Sequence, residues 1–332
     1  MGAETSRAVF SSPPRCEKVA ARNFMKKTRR RRHIIAVVSL FVSILFWAAV
    51  PLFLRSFIHD IDAWTANGFR YPFSALLLLL PLGIFHRRGE VKPWMYRSAV
   101  VPSLINLCGQ TLWAWAPYYL EPAMLMFLTR ASIVFAIIFS FLIFPDERPL
   151  IHSIIFWFGL FLSVSGFVGM NWLSGKPLSG GSLTGLLLVL GNGIFLGLYG
   201  VSVRYSMRGA QPWISFPIIC LYTSLGVLPI MFLFGEPSRL GLLPFSEWGM
   251  LALSSVIGIG LAHVFFYYAI EYLGVSITNG CHLTGPFLTA VGSYIIFGEV
   301  FTLGQWLSGI LILAGAFWLL KAQLQLRRNM TT

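Results

Sequence analysis

Residues 119–149 read YLEPAMLMFLTRASIVFAIIFSFLIFPDERP, and residues 272–301 read YLGVSITNGCHLTGPFLTAVGSYIIFGEVF, an altered copy of the same pattern. Each copy begins with a Tyr-Leu pair, continues as a long apolar run and ends around a glutamate, Glu147 or Glu299. The two glutamates lie 152 positions apart, whereas the units of a solenoid repeat are about 20–50 residues long. The repeat therefore indicates that a whole domain is duplicated, which in a membrane protein is typical of transporters.

The composition of the chain is that of an integral membrane protein. Of its 332 residues, 56% are hydrophobic and 11% charged, and the mean hydropathy is +0.74, whereas soluble proteins carry about 25% charged residues. Ten apolar stretches are each long enough to cross roughly 30 Å of hydrocarbon, and lipid cannot satisfy backbone polar groups, so continuous helices are expected. The predicted fold is an all-α membrane protein with ten transmembrane helices. They lie at approximately 34–54, 62–85, 97–118, 122–144, 151–173, 183–203, 213–234, 246–270, 275–297 and 302–320.

The net charge of +13 is concentrated on one side of the predicted membrane. Ten of the 25 Lys and Arg residues lie within the first 32 residues, which marks a cytoplasmic amino terminus under the positive-inside rule. With ten helices both termini are cytoplasmic, and 20 basic residues then face the cytoplasm against three on the opposite side. The sequence therefore predicts a multi-pass protein of the cell membrane. Its basic tail is expected to contact anionic lipid headgroups, and a nucleic-acid partner is not expected.

A Ser- and Gly-rich linker at residues 174–182 divides the membrane region into two five-helix halves, residues 34–173 and 183–320. Because five is odd, the second half must enter the membrane from the opposite face. The halves are then inverted repeats related by a pseudo-two-fold axis in the membrane plane, which permits alternating access around a site at the midplane. Residues 1–33 are expected to be a disordered, basic cytoplasmic tail, and residues 321–332 a second cytoplasmic tail.

Two runs in the second half carry a family resemblance: GIGLAHVFFYYAIEYLGVS at residues 258–276 and PFLTAVGSYIIFGE at residues 286–299. The first is similar to the signature of the eighth helix of the EamA domain of the drug/metabolite transporter superfamily, and the second resembles the ninth. A weaker similarity in the first half rests on Trp47 in helix one and Arg70 in helix two. The resemblance covers nearly all of residues 34–320 and implies a ten-helix transporter fold. It implies no particular substrate, because the superfamily moves amino acids, sugars, nucleotide-linked metabolites and drugs.

Two arginines, Arg70 and Arg130, lie inside predicted helices two and four, where a charge costs about 2.5–3.5 kcal/mol on insertion scales. No acidic residue lies inside a predicted helix to pair with them. If the two guanidinium groups line a wet cavity, they are expected to bind a carboxylate or phosphate, which arginine holds bidentately. The alternative is that they reach out to the membrane interface, or pair with backbone carbonyls and a loop carboxylate such as Asp62 or Glu121.

The repeat places other polar residues in equivalent positions. Arg130 corresponds to His282 at an offset of 152, and Gln110 corresponds to His263 at an offset of 153. This is the arrangement expected around a shared central cavity. Each histidine is either the carrier of a coupled proton or a neutral group hydrogen-bonded between helices. Because no carboxylate lies inside a predicted helix, a carboxylate proton relay is not expected, which leaves exchange and facilitated diffusion open.

Further candidates are amides, an aromatic residue and helix breakers inside the predicted helices. Asn192, like the other interior amides, is expected either to line the cavity or to join helices. Pro72 follows Arg70 closely and Pro286 follows His282, so both prolines are expected to break their helices beside the site and to take part in gating. The predicted substrate-binding cavity is formed by Arg70, Arg130, Gln110, His263, His282, Asn106, Asn279 and Tyr199.

Signatures of metal sites and of enzymes are missing from the sequence. The four cysteines have no metal-ligand spacing, and there is no His-x-x-x-His or Glu-x-x-His pattern and no interior carboxylate pair. No metal, cofactor or catalytic residue is therefore expected, and an enzyme or a channel is disfavoured. Small-residue pairs in helices five and ten, such as Gly166/Gly169 and Gly304/Ser308, are explained by close helix packing, with a homodimer left as an open alternative.

Together these features predict a secondary transporter. The protein is expected to act as a permease or exporter that moves a small organic metabolite, amino-acid-like or otherwise anionic, across the cell membrane by alternating access. The alternative is that the same fold serves as a flippase for a lipid-linked or amphipathic cargo, or as a drug exporter.

Overall fold

The computed structural model describes residues 15–173, 180–273, 278 and 281–331, and the regular secondary structure of these residues is helical. A π-helical segment, Ser255–Leu261, joins α9 to α10, and a 3-10 segment, Thr129–Ala131, joins α4 to α5. The α-helices are α1 (Arg15–Ser56), α2 (Ala63–Arg87), α3 (Pro93–Trp115), α4 (Pro122–Leu128), α5 (Ser132–Ile143), α6 (Ile154–Trp172), α7 (Gly180–Ser206), α8 (Pro212–Phe234), α9 (Phe245–Ser254), α10 (Ala262–Leu273), α11 (Gly285–Phe297) and α12 (Leu303–Thr331).

Seven helical segments in this part of the chain are long and apolar enough to cross a membrane. Two shorter apolar helices cover Ile154–Met170 and Gly285–Phe297, and α3 occupies the remaining predicted range. Helix is therefore present within each of the ten predicted ranges, while the length and hydropathy of a membrane span are reached by seven segments. These seven are Arg31–Ser56, Ala63–Arg87, Pro122–Ser140, Leu183–Ser206, Pro212–Phe234, Phe245–Ala269 and Leu303–Leu326.

The amino-terminal tail is helical over much of the stretch that was predicted to be disordered. α1 begins at Arg15 and continues through the apolar segment to Ser56 as one helix of 42 residues. Arg, Lys, Ala, Glu and Met dominate residues 15–33 and are strong helix formers, and a helix that is already nucleated extends readily. The prediction of disorder was therefore wrong for residues 15–33. Residues 1–14 and the linker residues 174–179 lie outside the described chain.

The principal contacts between helices correspond when the two halves are exchanged. In the order of the repeat, α1 corresponds to α7, α2 to α8, α3 to the α9–α10 unit, the α4–α5 unit to α11, and α6 to α12. The contact of α3 with α7 corresponds to that of α10 with α1, and the contact of α5 with α7 corresponds to that of α11 with α1. Likewise, the contact of α3 with α8 corresponds to that of the π segment with α2. The pairs α2·α8, α4·α11 and α6·α12 each map onto themselves. The principal contacts between helices therefore correspond in the two halves.

The small residues of α6 and α12 are used for packing within the chain. A Cβ on Gly166 would lie 2.6 Å from the carbonyl oxygen of Ser308, and one on Gly169 would lie 2.6 Å from its hydroxyl. A Cβ on Gly159 would likewise lie 2.9 Å from the carbonyl oxygen of Gly315. The two helices approach closely because these positions lack side chains. The spacing is thus explained by one chain and lends no support to a homodimer.

Candidate functional site

Two helices are broken at equivalent positions of the repeat. The 3-10 segment Thr129–Ala131 interrupts the helix that continues as α5, and residues 283–284 form a turn before α11. At the offset of 152, residues 129–131 correspond to residues 281–283. The first break therefore carries Arg130, and the second begins directly after His282. Broken helices at membrane depth are tolerated where they line a cavity or are buried in protein, and transporters build their binding sites from them.

A cavity of about 190 Å³ lies at the first of these breaks. Four of the residues predicted for the substrate site line it together: Arg70, Gln110, Arg130 and His263. Its apolar wall includes aromatic and aliphatic side chains, and none of its lining residues is an aspartate or glutamate. The sequence prediction of a shared central cavity is consistent with this convergence of polar side chains from four separate helical segments.

Arg130 provides a positive charge whose buried Nε is not hydrogen-bonded within the described part of the chain. A Cβ on Gly285, the first residue of α11, would lie 3.7 Å from Arg130 Nη2. The guanidinium group therefore lies beside the amino-terminal end of a helix, which carries a partial positive charge. Two positive poles that converge on a cavity without a carboxylate are complementary to an anion.

Arg70 has a different role, because it is bonded to the protein. This side chain is only 3% exposed, and its Nε and Nη2 donate to the hydroxyl and carbonyl oxygens of Ser254 at 3.0 and 3.4 Å. Ser74 Oγ donates to the carbonyl oxygen of Ser255 at 2.7 Å. Arg70 thus follows the alternative of pairing with backbone carbonyls. It anchors the start of the π segment, a kind of distortion that is frequent at functional sites.

Trp47 completes the anchoring of the π segment. Its indole Nε1 donates to the carbonyl oxygen of Gly258 at 3.0 Å, and Gly258 lines the cavity as Trp47 does. The Trp47 ring also lies between the two histidines, with centroid distances of 5.1 Å to His263 and 5.0 Å to His282. In the sequence, Trp47 was named only for its similarity to the first helix of the EamA domain. Its contacts make it the residue that joins α1, the π segment and both histidines.

His263 lines the cavity and is bonded to the backbone through one ring nitrogen. Its Nδ1 lies 2.9 Å from the carbonyl oxygen of Ile259. A carbonyl can only accept, so Nδ1 carries a proton, and in the neutral ring Nε2 is then an acceptor. The ring is stacked on Phe216 at a centroid distance of 4.2 Å. The backbone and the stacked ring together fix the orientation of the imidazole.

His282 lies behind Trp47, outside the lining of the cavity. It is 3% exposed, and its Nε2 lies 3.0 Å from Ser43 Oγ. The Ser43 hydroxyl donates its only hydrogen to the carbonyl oxygen of Leu40 at 2.8 Å, so Ser43 accepts a hydrogen bond from His282 Nε2–H. The prediction that His282 lines the cavity was wrong, because the side chain turns towards α1 and is hydrogen-bonded between helices there.

Two other described residues of the predicted site, Asn106 and Tyr199, do not line the cavity. Asn106 is 5% exposed and donates through Nδ2 to Tyr71 Oη at 3.4 Å and to Thr223 Oγ1 at 3.0 Å. Tyr199 is buried in the apolar cluster between α3, α7 and α8. Both predictions were wrong because these residues face neighbouring helices, where they join and pack the bundle. Asn279 lies outside the described residues.

The two prolines behave differently. Pro286 lies in the first turn of α11, directly after the break at residues 283–284, where its missing N–H leaves no bond unmade. Pro72 lies within α2, which is uninterrupted from Ala63 to Arg87. The predicted helix break at Pro72 was therefore wrong. Packing of α2 against α8 and the π segment supports the helix on both sides of the proline.

Asn192 was considered in the sequence but was not assigned to the site. It lines the cavity, is 2% exposed, and donates through Nδ2 to the carbonyl oxygen of Gly109 at 2.9 Å. Thr129 and Ser132 also line the cavity beside Arg130. Asn192 could have been found from the sequence, because it is a polar residue in an otherwise apolar helix. Thr129 and Ser132 could not, because hydroxyl residues that pack between helices look the same in the sequence.

Comparison with known proteins agrees with this architecture. A solved crystal structure, titled only as that of a protein, superposes with a TM-score of 0.60 at 18% sequence identity, covering 88% of this chain and 98% of that chain. At that identity the likeness shows the fold alone. No curated protein sequence matches the chain. The model of the EamA-like transporter family matches twice, over residues 34–172 and 183–321. The chain, with its apolar helices and its two matched repeats, is therefore a multi-pass membrane protein that belongs to the EamA-like transporter family.

Proposed function

We propose that the protein is a secondary transporter that moves a small organic anion through the cavity at Arg130. The observation that carries the proposal is the buried Nε of Arg130, which has no hydrogen-bond partner among the described residues and belongs to a cation beside the amino-terminal end of α11. A charge inside a membrane protein is expected to be paired, or to serve a substrate or ion pathway. A carboxylate or phosphate in the cavity pairs with the guanidinium bidentately.

Alternating access is supported by the symmetry of the helix packing. Exchange of the two halves maps the principal pairs of contacting helices onto one another. If each half crosses the membrane five times, equivalent helices run in opposite directions and the two-fold axis lies in the membrane plane. Such inverted halves have two equivalent arrangements, one open to each side, around the same site. The asymmetry of basic residues supports cytoplasmic termini and the cell membrane, with anionic lipids near the amino-terminal helix.

The size and chemistry of the cavity support a small solute. An apolar cavity of about 150 Å³ accepts benzene, so about 190 Å³ accommodates a molecule only somewhat larger. This volume does not favour a lipid-linked cargo. The lining residues include no carboxylate, and His263 and His282 each have a ring nitrogen bonded to a neutral protein oxygen. These features support exchange or facilitated diffusion in preference to a carboxylate proton relay.

Counterflow in proteoliposomes tests the proposal. Purified protein is reconstituted with unlabelled solutes inside, and uptake of labelled small carboxylates and phosphate esters is measured for wild-type, Arg130→Ala and Arg239→Ala proteins. Arg239 is an exposed arginine that is paired with Glu236 and serves as the matched control. We expect Arg130→Ala to abolish counterflow while Arg239→Ala retains it. Counterflow by Arg130→Ala with unchanged half-saturation would refute the role of the guanidinium.

A further inference from the structure

A second group in the cavity lacks a partner, and it is an acceptor. Asn192 Nδ2 donates to the carbonyl oxygen of Gly109 at 2.9 Å; a carbonyl can only accept, so this bond fixes which end of the amide is the oxygen. The other atom, Oδ1, is buried and has no hydrogen-bond partner among the described residues. Buried polar atoms are rarely left unpaired, so a donor that is missing from the protein is expected at Asn192 Oδ1.

The acceptor and the cation belong to the same wall of the cavity. Asn192 lies on α7, which packs directly on the 3-10 segment that carries Arg130. At the next residue, a Cβ on Gly193 would lie 3.6 Å from the Cα of Ser132. His263 contributes another acceptor through Nε2, since its Nδ1 is bonded to Ile259. The cavity therefore presents a donor cation together with two neutral acceptors.

These positions limit the chemistry of the solute. A fully ionised phosphate or dicarboxylate pairs with Arg130 but has only acceptor oxygens, so it offers no hydrogen-bond donor to Asn192 Oδ1. A protonated amine has three N–H donors and no acceptor, which matches Asn192 Oδ1 and His263 Nε2. Between these poles the wall is apolar, with Trp113, Met126 and Leu196. An amine without a carboxylate leaves Arg130 unpaired, so both charges are required on one molecule.

We infer that the solute is a small zwitterion with an apolar body, whose carboxylate pairs with Arg130 and whose protonated amine donates to Asn192 Oδ1. This inference rests on the proposed transport function and decides between an amino-acid-like solute and other anions. Sites built to hydrogen-bond a polar group discriminate strongly against the analogue that lacks it.

The test uses sets of three ligands with one carbon skeleton. Each set contains a small α-amino acid with an apolar side chain, the carboxylic acid without the amine, and the amine without the carboxylate. Affinities are measured by calorimetry and by thermal stabilisation of the purified full-length protein. We expect at least one amino acid to bind about tenfold or more tightly than either analogue. In Asn192→Leu, amino acid and deaminated acid are expected to bind equally, and their binding is expected still to require Arg130.

Asn106→Leu replaces a buried amide outside the cavity and is the matched control, in which discrimination is expected to persist. If a variant does not fold, the wild-type ligand sets still decide the question. Arg130-dependent binding of acids with no preference for the amine would overturn the inference and leave the proposed function intact. Preference for the amino acid that survives in Asn192→Leu would overturn the role of Asn192. Binding of no member of any ligand set would overturn the inference, while the counterflow experiment with phosphate esters decides the proposed function separately.

Discussion

Gly258 offers a sharp test of how α1 holds the π segment at the cavity. A Cβ at this position would lie 2.5 Å from Val50 Cγ2 and 3.4 Å from Arg70 Nη2. Ordinary contact begins at 3.4 Å, so Gly258→Ala requires Val50 to move by about 0.9 Å. Val50 is 5% exposed, and a valine in a helix has essentially one χ1 rotamer. The backbone of α1 must therefore move with the side chain.

The same movement affects the hydrogen bond of Trp47, which lies one helical turn before Val50. The Nε1 donor is 3.0 Å from the carbonyl oxygen of Gly258, and a displacement of about 0.9 Å takes the bond beyond hydrogen-bonding distance. Overpacking of this kind typically costs about 1–3 kcal/mol. Replacement of Gly by Ala within a helix stabilises the folded protein by about 0.5–1 kcal/mol, which offsets part of this cost. Gly258→Ala should therefore destabilise the protein or, at best, leave its stability nearly unchanged.

Gly260→Ala is the matched control within the same π segment. A Cβ at Gly260 would have its nearest neighbour, the carbonyl oxygen of Ser255, at 3.9 Å. This variant should receive only the gain from helix propensity, so the two variants should differ by about 1–3 kcal/mol. Thermal unfolding of both proteins in the same detergent measures the difference, with Gly258→Ala unfolding at the lower temperature. Equal midpoints for the two variants would refute the close contact between α1 and the π segment.

Three further predictions concern the arginines, the helix interface and the driving force. Arg70→Ala should lower the temperature of the thermal unfolding midpoint because it removes two hydrogen bonds to Ser254. Arg130→Ala should leave that midpoint unchanged or raise it. A lower midpoint for Arg130→Ala than for Arg70→Ala would mean that Arg130 is the structural arginine and would contradict the roles assigned to the two. Gly166→Ala should lower the free energy of unfolding by about 1–3 kcal/mol relative to Gly200→Ala, because a Cβ at Gly200 has no neighbour within 4 Å. Equal unfolding midpoints for the two variants would contradict the close packing of α6 on α12. Collapse of the pH gradient with a protonophore should not change counterflow, since the cavity has no carboxylate relay, and a loss of exchange would contradict that view.

The convergence of the site was partly predictable from the repeat. Arg130, Gln110 and His263 were selected because polar residues occupied equivalent places in both halves, and the structure brings them to one cavity. The same reasoning failed for His282, whose side chain bonds to Ser43 on α1. Sequence equivalence places two residues at corresponding points of two helices, but each side chain turns towards the partner that its own neighbourhood offers.

The duplication and the apolar helices could be determined from the sequence, because hydrocarbon excludes unsatisfied backbone groups and the repeat is a linear pattern. Membership of the EamA-like transporter family followed from the same residues. The tertiary structure decided which polar groups are free. Arg70 and Arg130 look alike in sequence, yet the first is bonded to Ser254, and the second has a buried Nε with no hydrogen-bond partner in the described ranges. The tertiary structure also determined the π segment, because the carbonyls at this segment accept hydrogen bonds from donors on α1 and α2 that lie more than 180 positions away along the chain. A hydrogen bond requires a partner in space, and spacing along one chain cannot specify it.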